Sequence, residues 1–344
     1  MTDKRATTEI AELGEFGLID HLLKDNVLQR SSTIKGPGDD AAVLKHGDGL
    51  SVVSTDLLVE GIHFDLMYTP LKHLGYKSIA VNVSDICAMN ARPEQVTVSL
   101  GISNRFSVEA LEELYSGIYA ACKRFGVDLI GGDTTSSNKG LIISVTAIGR
   151  TTEDEVVYRS GAKPGDLLCV SGNLGGAYLG LQLLEREKQL FLENPKTQPD
   201  LEDQNYVVGR QLKPEARTDI INMFREDKFR PTSMIDVSDG LTSDLFHICR
   251  NSEVGAIIFE SQVPIHQDAK LMALKFNMDP ITSALNGGED YEMLFTADPV
   301  DLDKIKMMAD IYIIGDMILP ERGIKLQTEQ NRFVDLTAQG WQHF

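Results

Sequence analysis

The feature that most constrains this chain is where its apolar runs stop. VVSTD closes on Asp56, LIGGD on Asp133, and MIDVSDGL sets Asp236 and then Asp239 beside Ser238. GPGDDAAVL places Asp39 and Asp40 on a bent approach to another apolar run, and AVNVSDICAM sets Asp85 inside a long apolar segment. If a layered fold brings these junctions together, the acids face one cleft.

The first half alternates strand and helix patterns. Residues 50–59, 94–102 and 141–150, together with VDLIGG, read as strands, and residues 69–89 and 107–126 as helices. The second helix has Ser107 as its N-cap and Gly126 as its stop. This predicts an α/β (α+β) chain whose N-terminal mixed sheet carries helices on one face. RSGAKPGD, 159–166, breaks the pattern and divides the chain into an N-terminal unit, 1–150, and a C-terminal α/β unit, 151–344. In the second unit LLCVSG, SMIDVSDGL, GAIIFES, DYEMLFTA and IYIIGDMI read as strands, GGAYLGLQLLEREKQLF as a helix, and 191–205 as a polar loop.

Two units suit 344 residues. A net charge of -18 argues against sequence-independent nucleic-acid binding, which needs a Lys/Arg surface. No apolar run reaches the roughly 18 residues of a membrane span, and the N-terminus has no signal-like apolar core. Cys87, Cys122, Cys169 and Cys249 form no CxxC pair and sit among apolar residues, so reduced thiols in a cytoplasmic protein are expected.

Each acid has an ordinary explanation. Ser238 or Asp239 can cap the helix that begins GLTSDLFHICR, and Asp133 with two threonines can form a turn. Asp56 fits a turn less well, because LLV continues its apolar run. Asp85 fits worst: positions three and four residues away are Val81, Asn82, Ala88 and Met89, none of them cationic. Five or six carboxylates in one cleft would repel by about 4 kcal/mol per pair at 4 Å and an effective dielectric near 20. Cations must then share the cleft. Oxygen donors without His or Cys suit Mg²⁺ or Ca²⁺, and glycine-rich approaches suit several Mg²⁺ ions with a polyphosphate. There is no Walker loop, no protein-kinase motif set and no calcium-binding loop. Gly36, Gly38 and Ala41 match a dinucleotide fingerprint, but Asp39 and Asp40 would face the pyrophosphate and Pro37 removes an amide.

GEFGLI, GPGDDAAVL, STDLLVEGIHF, AVNVSDICAM, GGDTT, RSGAKPGD, DVSDGL and NGGEDYEMLF occur in the order found in thiamine-phosphate kinases, which the chain resembles from residue 14 to its C-terminal GWQHF. The resemblance implies transfer of the γ-phosphoryl of ATP to thiamine phosphate and the two-domain aminoimidazole ribonucleotide synthetase-like fold, dimeric through its N-terminal sheet. It implies Mg²⁺ ligands at Asp40, Ser54, Thr55, Asp56, Asp85, Asp133, Asp236 and Asp239, nucleotide contacts at Gly132, Asp133, Arg159 and Ser238, and thiamine phosphate contacts at His63, Glu289 and Trp341. Asp39 falls outside the matched ligands and is expected to support the turn or its neighbours. Two residues depart from the family pattern: Asn90 stands in place of Gly, at a left-handed position Asn tolerates, and Asn286 replaces a smaller residue.

The acceptor implied is an ionised phosphate, so catalysis needs positioning and charge neutralisation rather than a nucleophile. His63 reads as a phosphate donor or a loop histidine. Arg159 reads as a phosphate partner or a linker arginine, Glu289 as a ligand contact or a solvated turn residue, and Trp341 as a cation-stacking wall or a tail anchor. Rival readings are the sister enzymes selenophosphate synthetase and the hydrogenase maturation protein, which should carry a reactive N-terminal or C-terminal cysteine absent here, and a non-catalytic Ca²⁺- or nucleotide-binding module.

Overall fold

The computed structural model describes residues 10–337 apart from residue 197, with side chains from residue 17 onward. The first half runs α1 (Ile10–Leu23), β1 (Thr33–Lys35), β2 (Ala42–His46), β3 (Gly49–Val59), α2 (Leu71–Ala88), β4 (Arg92–Ile102), α3 (Val108–Phe125), β5 (Asp128–Ser136) and β6 (Ile142–Thr151). The second runs β7 (Leu167–Ser171), α4 (Gly176–Glu193), α5 (Asn205–Leu212), α6 (Thr218–Glu226), β8 (Ser233–Asp236), α7 (Leu241–Ser252), β9 (Gly255–Phe259), α8 (Gln267–Lys275), α9 (Pro280–Asn286), β10 (Met293–Ala297), α10 (Leu302–Met307), β11 (Ile311–Ile318), β12 (Ile324–Gln327) and β13 (Phe333–Asp335).

The first six strands form one mixed sheet, ordered β1-β2-β3-β6-β4-β5, with only β4 and β5 parallel. The other seven form a second, ordered β13-β12-β9-β11-β7-β10-β8, with only β12 and β9 parallel. The expected α/β architecture with two mixed sheets is therefore present. Alternation along β3 puts Leu50, Val52 and Leu58 on the face covered by α2 and leaves Leu57 52% exposed on the other.

Helix α2 is buried on nearly all sides, from Leu74 to Ser84. Its β-branched residues are tolerated because packing rather than propensity holds it. It crosses α3 with backbones in contact: a Cβ on Gly75 would lie 2.0 Å from the Leu114 carbonyl oxygen, and one on Gly117 would lie 1.9 Å from that of Lys72. Ser107 accepts from the Ala110 N–H and Gly126 closes α3 at φ 68°, both as the sequence indicates. Asn90 follows α2 at φ 51° and its amide donates to the Glu155 carbonyl, so the left-handed turn holds without glycine.

Several boundaries differ from expectation. Asp56 and Asp133 lie inside β3 and β5 rather than at strand ends. β10 begins at Met293, leaving Asp290 to Glu292 in the preceding loop. Helix α4 runs into the expected loop as far as Glu193.

Candidate active site

Three elements converge where the sheets meet. Asp40 precedes β2, Asp85 comes from the last turn of α2 and Asp236 ends β8, and one carboxylate oxygen from each lies within 4.8 Å of the others. Asp40 and Asp236 are buried and Asp85 is half-buried. Ser54 donates to Asp85, which gives that acid the partner its own helix does not supply, and Ser84 donates to Asp236 across the two halves. Asp56 shares the α2-facing side of β3 with Ser54, and its N–H donates to Asn82 Oδ1 at 3.0 Å.

The electrostatics match the crowding. Burial, then the charges of Asp56, Asp236 and Asp40, hold the Asp85 carboxyl well above the usual carboxylate range. Burial, then Asp40, pushes Asp236 up to about 7. Burial pushes Asp56 up to about 6. Arg159 offsets part of this repulsion by gripping Asp40 with both arms of its guanidinium, Nη2 to Oδ1 at 2.8 Å and Nε to Oδ2 at 3.2 Å. Asp39 accepts from the Arg159 N–H at 3.0 Å and pairs with Lys35 at 3.4 Å, so it fixes the arginine that meets Asp40.

Two expected ligands turn away. Thr55 points to the open face of the sheet and donates to the Val145 carbonyl. Asp133 aligns with Ser99, Ser144 and Leu57 across the sheet, so its side chain leaves on that same open face and is exposed. The cause is a bulge: Val96 pairs with Leu129 but Thr97 pairs with Gly131, and the extra residue, Ile130, reverses the facing of everything after it. Gly132 is required sterically, because a Cβ there would sit 1.8 Å from the Val98 carbonyl oxygen.

Neither Ser238 nor Asp239 is the N-cap residue of α7. Gly240 is the N-cap residue, and Asp244 accepts from the N–H groups of both Asp239 and Gly240. The Ser238 carbonyl instead accepts from Glu289 N–H at 2.8 Å, and a Cβ on Gly288 would meet that carbonyl at 2.4 Å, so the two loops lie backbone to backbone. Glu289 is no solvated turn residue: at φ 64° it pairs with the buried Lys77 at 2.8 Å and accepts from Gln211 Nε2 at 2.6 Å. His63 Nδ1 accepts from the Val59 N–H at 3.0 Å, which sets the ring proton of the neutral imidazole on Nε2. Trp341 lies outside the described residues. Asn286 folds its amide back on the Thr282 carbonyl at 3.4 Å.

Sequence reasoning missed Lys77, Asn82, Ser84, Gln211 and Asp244. Lys77 carried a signal, a lysine within the mostly apolar buried stretch of its helix, two turns before Asp85. Nearby, a polar cavity of about 270 Å³ is lined by Arg210, Arg217, Glu292 and Asp310. Both of these arginines are already paired by Glu292, and Arg217 also by Asp219 and Asp310, so this is an internal ion-pair network.

Two mixed-sheet units with carboxylates meeting between them define the class. The family model described as AIR synthase related protein, N-terminal domain, matches residues 38–151, and that of the C-terminal domain matches 163–317. The thiamine-monophosphate kinase of Buchnera aphidicola subsp. Schizaphis graminum is 36% identical over 97% of this chain and 99% of its own. That of Bacillus subtilis is 33% identical over 96% and 100%. Among solved structures, AaThiL complexed with AMPPCP and TMP superposes with a TM-score of 0.83 at 32% identity, covering 99% of this chain and 100% of that one. The chain belongs to the thiamine-monophosphate kinase family and is a kinase.

Proposed function

We propose that the chain transfers the γ-phosphoryl group of ATP directly to thiamine phosphate, giving thiamine diphosphate. The observation that carries the reading is the triad of Asp40, Asp85 and Asp236, drawn from both halves into 4.8 Å. The full-length likeness to a structure titled as holding AMPPCP and TMP supports the choice of substrates.

The donor set fits Mg²⁺: three carboxylates and the nearby Asp56, all oxygen, with burial opposing the ionisation of Asp56, Asp85 and Asp236. Asp40, Asp85, Asp236 and Asp56 would hold the ions, with Asp239 and Ser54 as further candidates. Bound there, Mg²⁺ supplies charge neutralisation for a polyphosphate. Arg159 stands on Asp40, placed to exchange that carboxylate for a phosphate oxygen, and Ser238 lies on the loop opposite Glu289. His63 offers a donor on a loop, for a phosphate of the acceptor.

Direct transfer follows from the lack of an activated nucleophile among the described residues. All four cysteines are buried, and burial pushes the thiols of Cys122 and Cys249 up to about 11 and about 12. The free, buried thiols suit a reducing cytoplasm, and no described helix is long and apolar enough to cross a membrane. We place the nucleotide chiefly on the N-terminal unit and give the C-terminal unit the completion of both subsites. The open sheet face, with Thr55, Leu57, Ile130 and Asp133 exposed, is the surface we assign to a homodimer. Measuring ADP release with and without thiamine phosphate tests the reading. Stimulation that depends on Mg²⁺ is expected, and ADP release indifferent to thiamine phosphate would sink it.

A further inference from the structure

A second cavity, of about 490 Å³, lies where the start of β4 and the end of α3 meet the first turns of α6. None of Asp40, Asp56, Asp85 and Asp236 lines it. Its charged lining is three cations, Arg92, Lys123 and Arg124, and one acid, Asp219. The acid neutralises none of the three. Arg217 holds both of its oxygens, Nε to Oδ1 at 3.0 Å and Nη2 to Oδ2 at 2.9 Å.

The cations themselves are left with capacity. Arg92 and Lys123 are exposed and have no ion-pair partner among the described residues. Arg124 gives its Nε–H to Glu215 at 3.1 Å, toward the neighbouring polar cavity, and keeps further N–H donors of its planar fork. The dipole of α3 favours a lysine and an arginine in its last turn, which accounts for Lys123 and Arg124. It does not account for Arg92, which opens β4 and adds like charge to the same hollow. A chain of net charge -18 has acids to spare, yet sets none against Arg92 or Lys123. Between the cations the wall is apolar. Pro93 and Phe125 are buried, and Phe125 is fixed from behind by the Tyr76 ring, with centroids 5.7 Å apart.

We propose that this cavity is a second anion site, which takes a small molecule bearing two or more phosphate charges. Its phosphates lie among Arg92, Lys123 and Arg124, and its less polar part lies on Pro93 and Phe125. The volume suits a small molecule, and guanidinium forks match phosphate oxygens. The site is independent of the reaction proposed above. Its ligand would bridge the two halves, because β4 and α3 belong to the first and α6 to the second.

Titration calorimetry of the full chain with inorganic pyrophosphate tests the site. Excess chelator keeps metal-bound pyrophosphate out of the carboxylate triad. One pyrophosphate per chain is expected, and sulfate at equal ionic strength should bind at least about tenfold more weakly. Replacing Arg92→Ser and Lys123→Ser together should weaken pyrophosphate by about tenfold or more, since two charge-assisted contacts are lost. Asn222→Glu, at an exposed position on the α6 wall of the cavity, should also weaken it while leaving every cation in place. The ADP-release activity of all these variants should stay unchanged. Pyrophosphate binding that survives both sets of substitutions would put the anion elsewhere and overturn the assignment. Sulfate binding as tight as pyrophosphate, or no binding by the unmutated chain, would overturn it as well.

Discussion

Replacing Gly117 by Ala sets two effects of known size against each other. Gly117 lies within α3, where Ala is a better helix former by about 1 kcal/mol. Propensity alone therefore predicts a more stable protein. The helix crossing predicts the reverse. The new methyl carbon would lie 1.9 Å from the Lys72 carbonyl oxygen and 2.8 Å from its carbon, both backbone atoms. Reaching an ordinary contact of about 3.4 Å requires α2 and α3 to part by roughly 1.5 Å, in a core that elsewhere is closely packed. Overpacking of that kind costs about 1–3 kcal/mol or more, so sterics win. The functional cost is larger. Helix α2 carries Lys77, Ser84 and Asp85, and a misplacement near 1 Å can cost about a hundredfold in rate. Urea unfolding and ADP-release kinetics on the same preparations measure both. Gly209→Ala is the control: it also lies in a helix, but its Cβ would meet nothing within 4 Å, so stability should rise by a fraction of a kcal/mol up to about 1. If Gly117→Ala matches that control in stability and keeps full kcat, the close crossing does not govern the site.

Asp85→Asn should fold, keep its contact with Ser54 and lose nearly all kcat, and excess chelator should do the same to the unmutated enzyme; activity that survives both would refute a metal-dependent triad. Leu57→Arg should convert a dimer to monomers in sedimentation equilibrium, because it places a charge in the centre of the open sheet face; an unchanged mass would move the interface elsewhere. Asp290 accepts from the N–H groups of Gly175 and Ala177 at the start of α4, and burial raises its carboxyl from 3.8 to about 6 against the pull of Arg210 and with a push from Glu292. A carboxyl raised in the folded state binds its proton more tightly there than when unfolded, so its contribution to stability falls as pH rises from about 4 to about 6, by up to roughly 3 kcal/mol. The stability of the unmutated protein relative to Asp290→Asn should fall over that window, and a constant difference would contradict the argument.

Much of the fold was legible because its signals are local. Ser107 and Gly126 bound α3 by capping chemistry, and period-2 alternation located β3, β4 and β6 within a few residues. Helices α5 and α6 carry no such signal. They are short, Gly209 interrupts the first, and neither has a side-chain N-cap. What holds α5 is its contact with α4 at Gly180, a fact of tertiary packing. Because α5 was not legible, neither was Gln211.

The site shows the same division. That acids would gather was readable, since repeated strand-to-acid junctions occur in the sequence itself, and Asp40, Asp85 and Asp236 do meet. Which way each acid faces was not readable. One extra residue opposite Val96 and Thr97 sends Asp133 to the open face, while Ser54 and Asp56 keep to the α2 side by strict alternation. A bulge leaves almost no trace in composition, because Ile130 fits a regular strand as well as an irregular one. The consequence is functional. The triad is closed within one chain by Ser84 reaching Asp236, whereas Asp133 stands on the surface assigned to the dimer contact. If Asp133 serves the nucleotide, it does so from the side of the sheet we assign to a second chain, so on that assignment monomerising substitutions at Leu57 should weaken nucleotide binding as well as assembly.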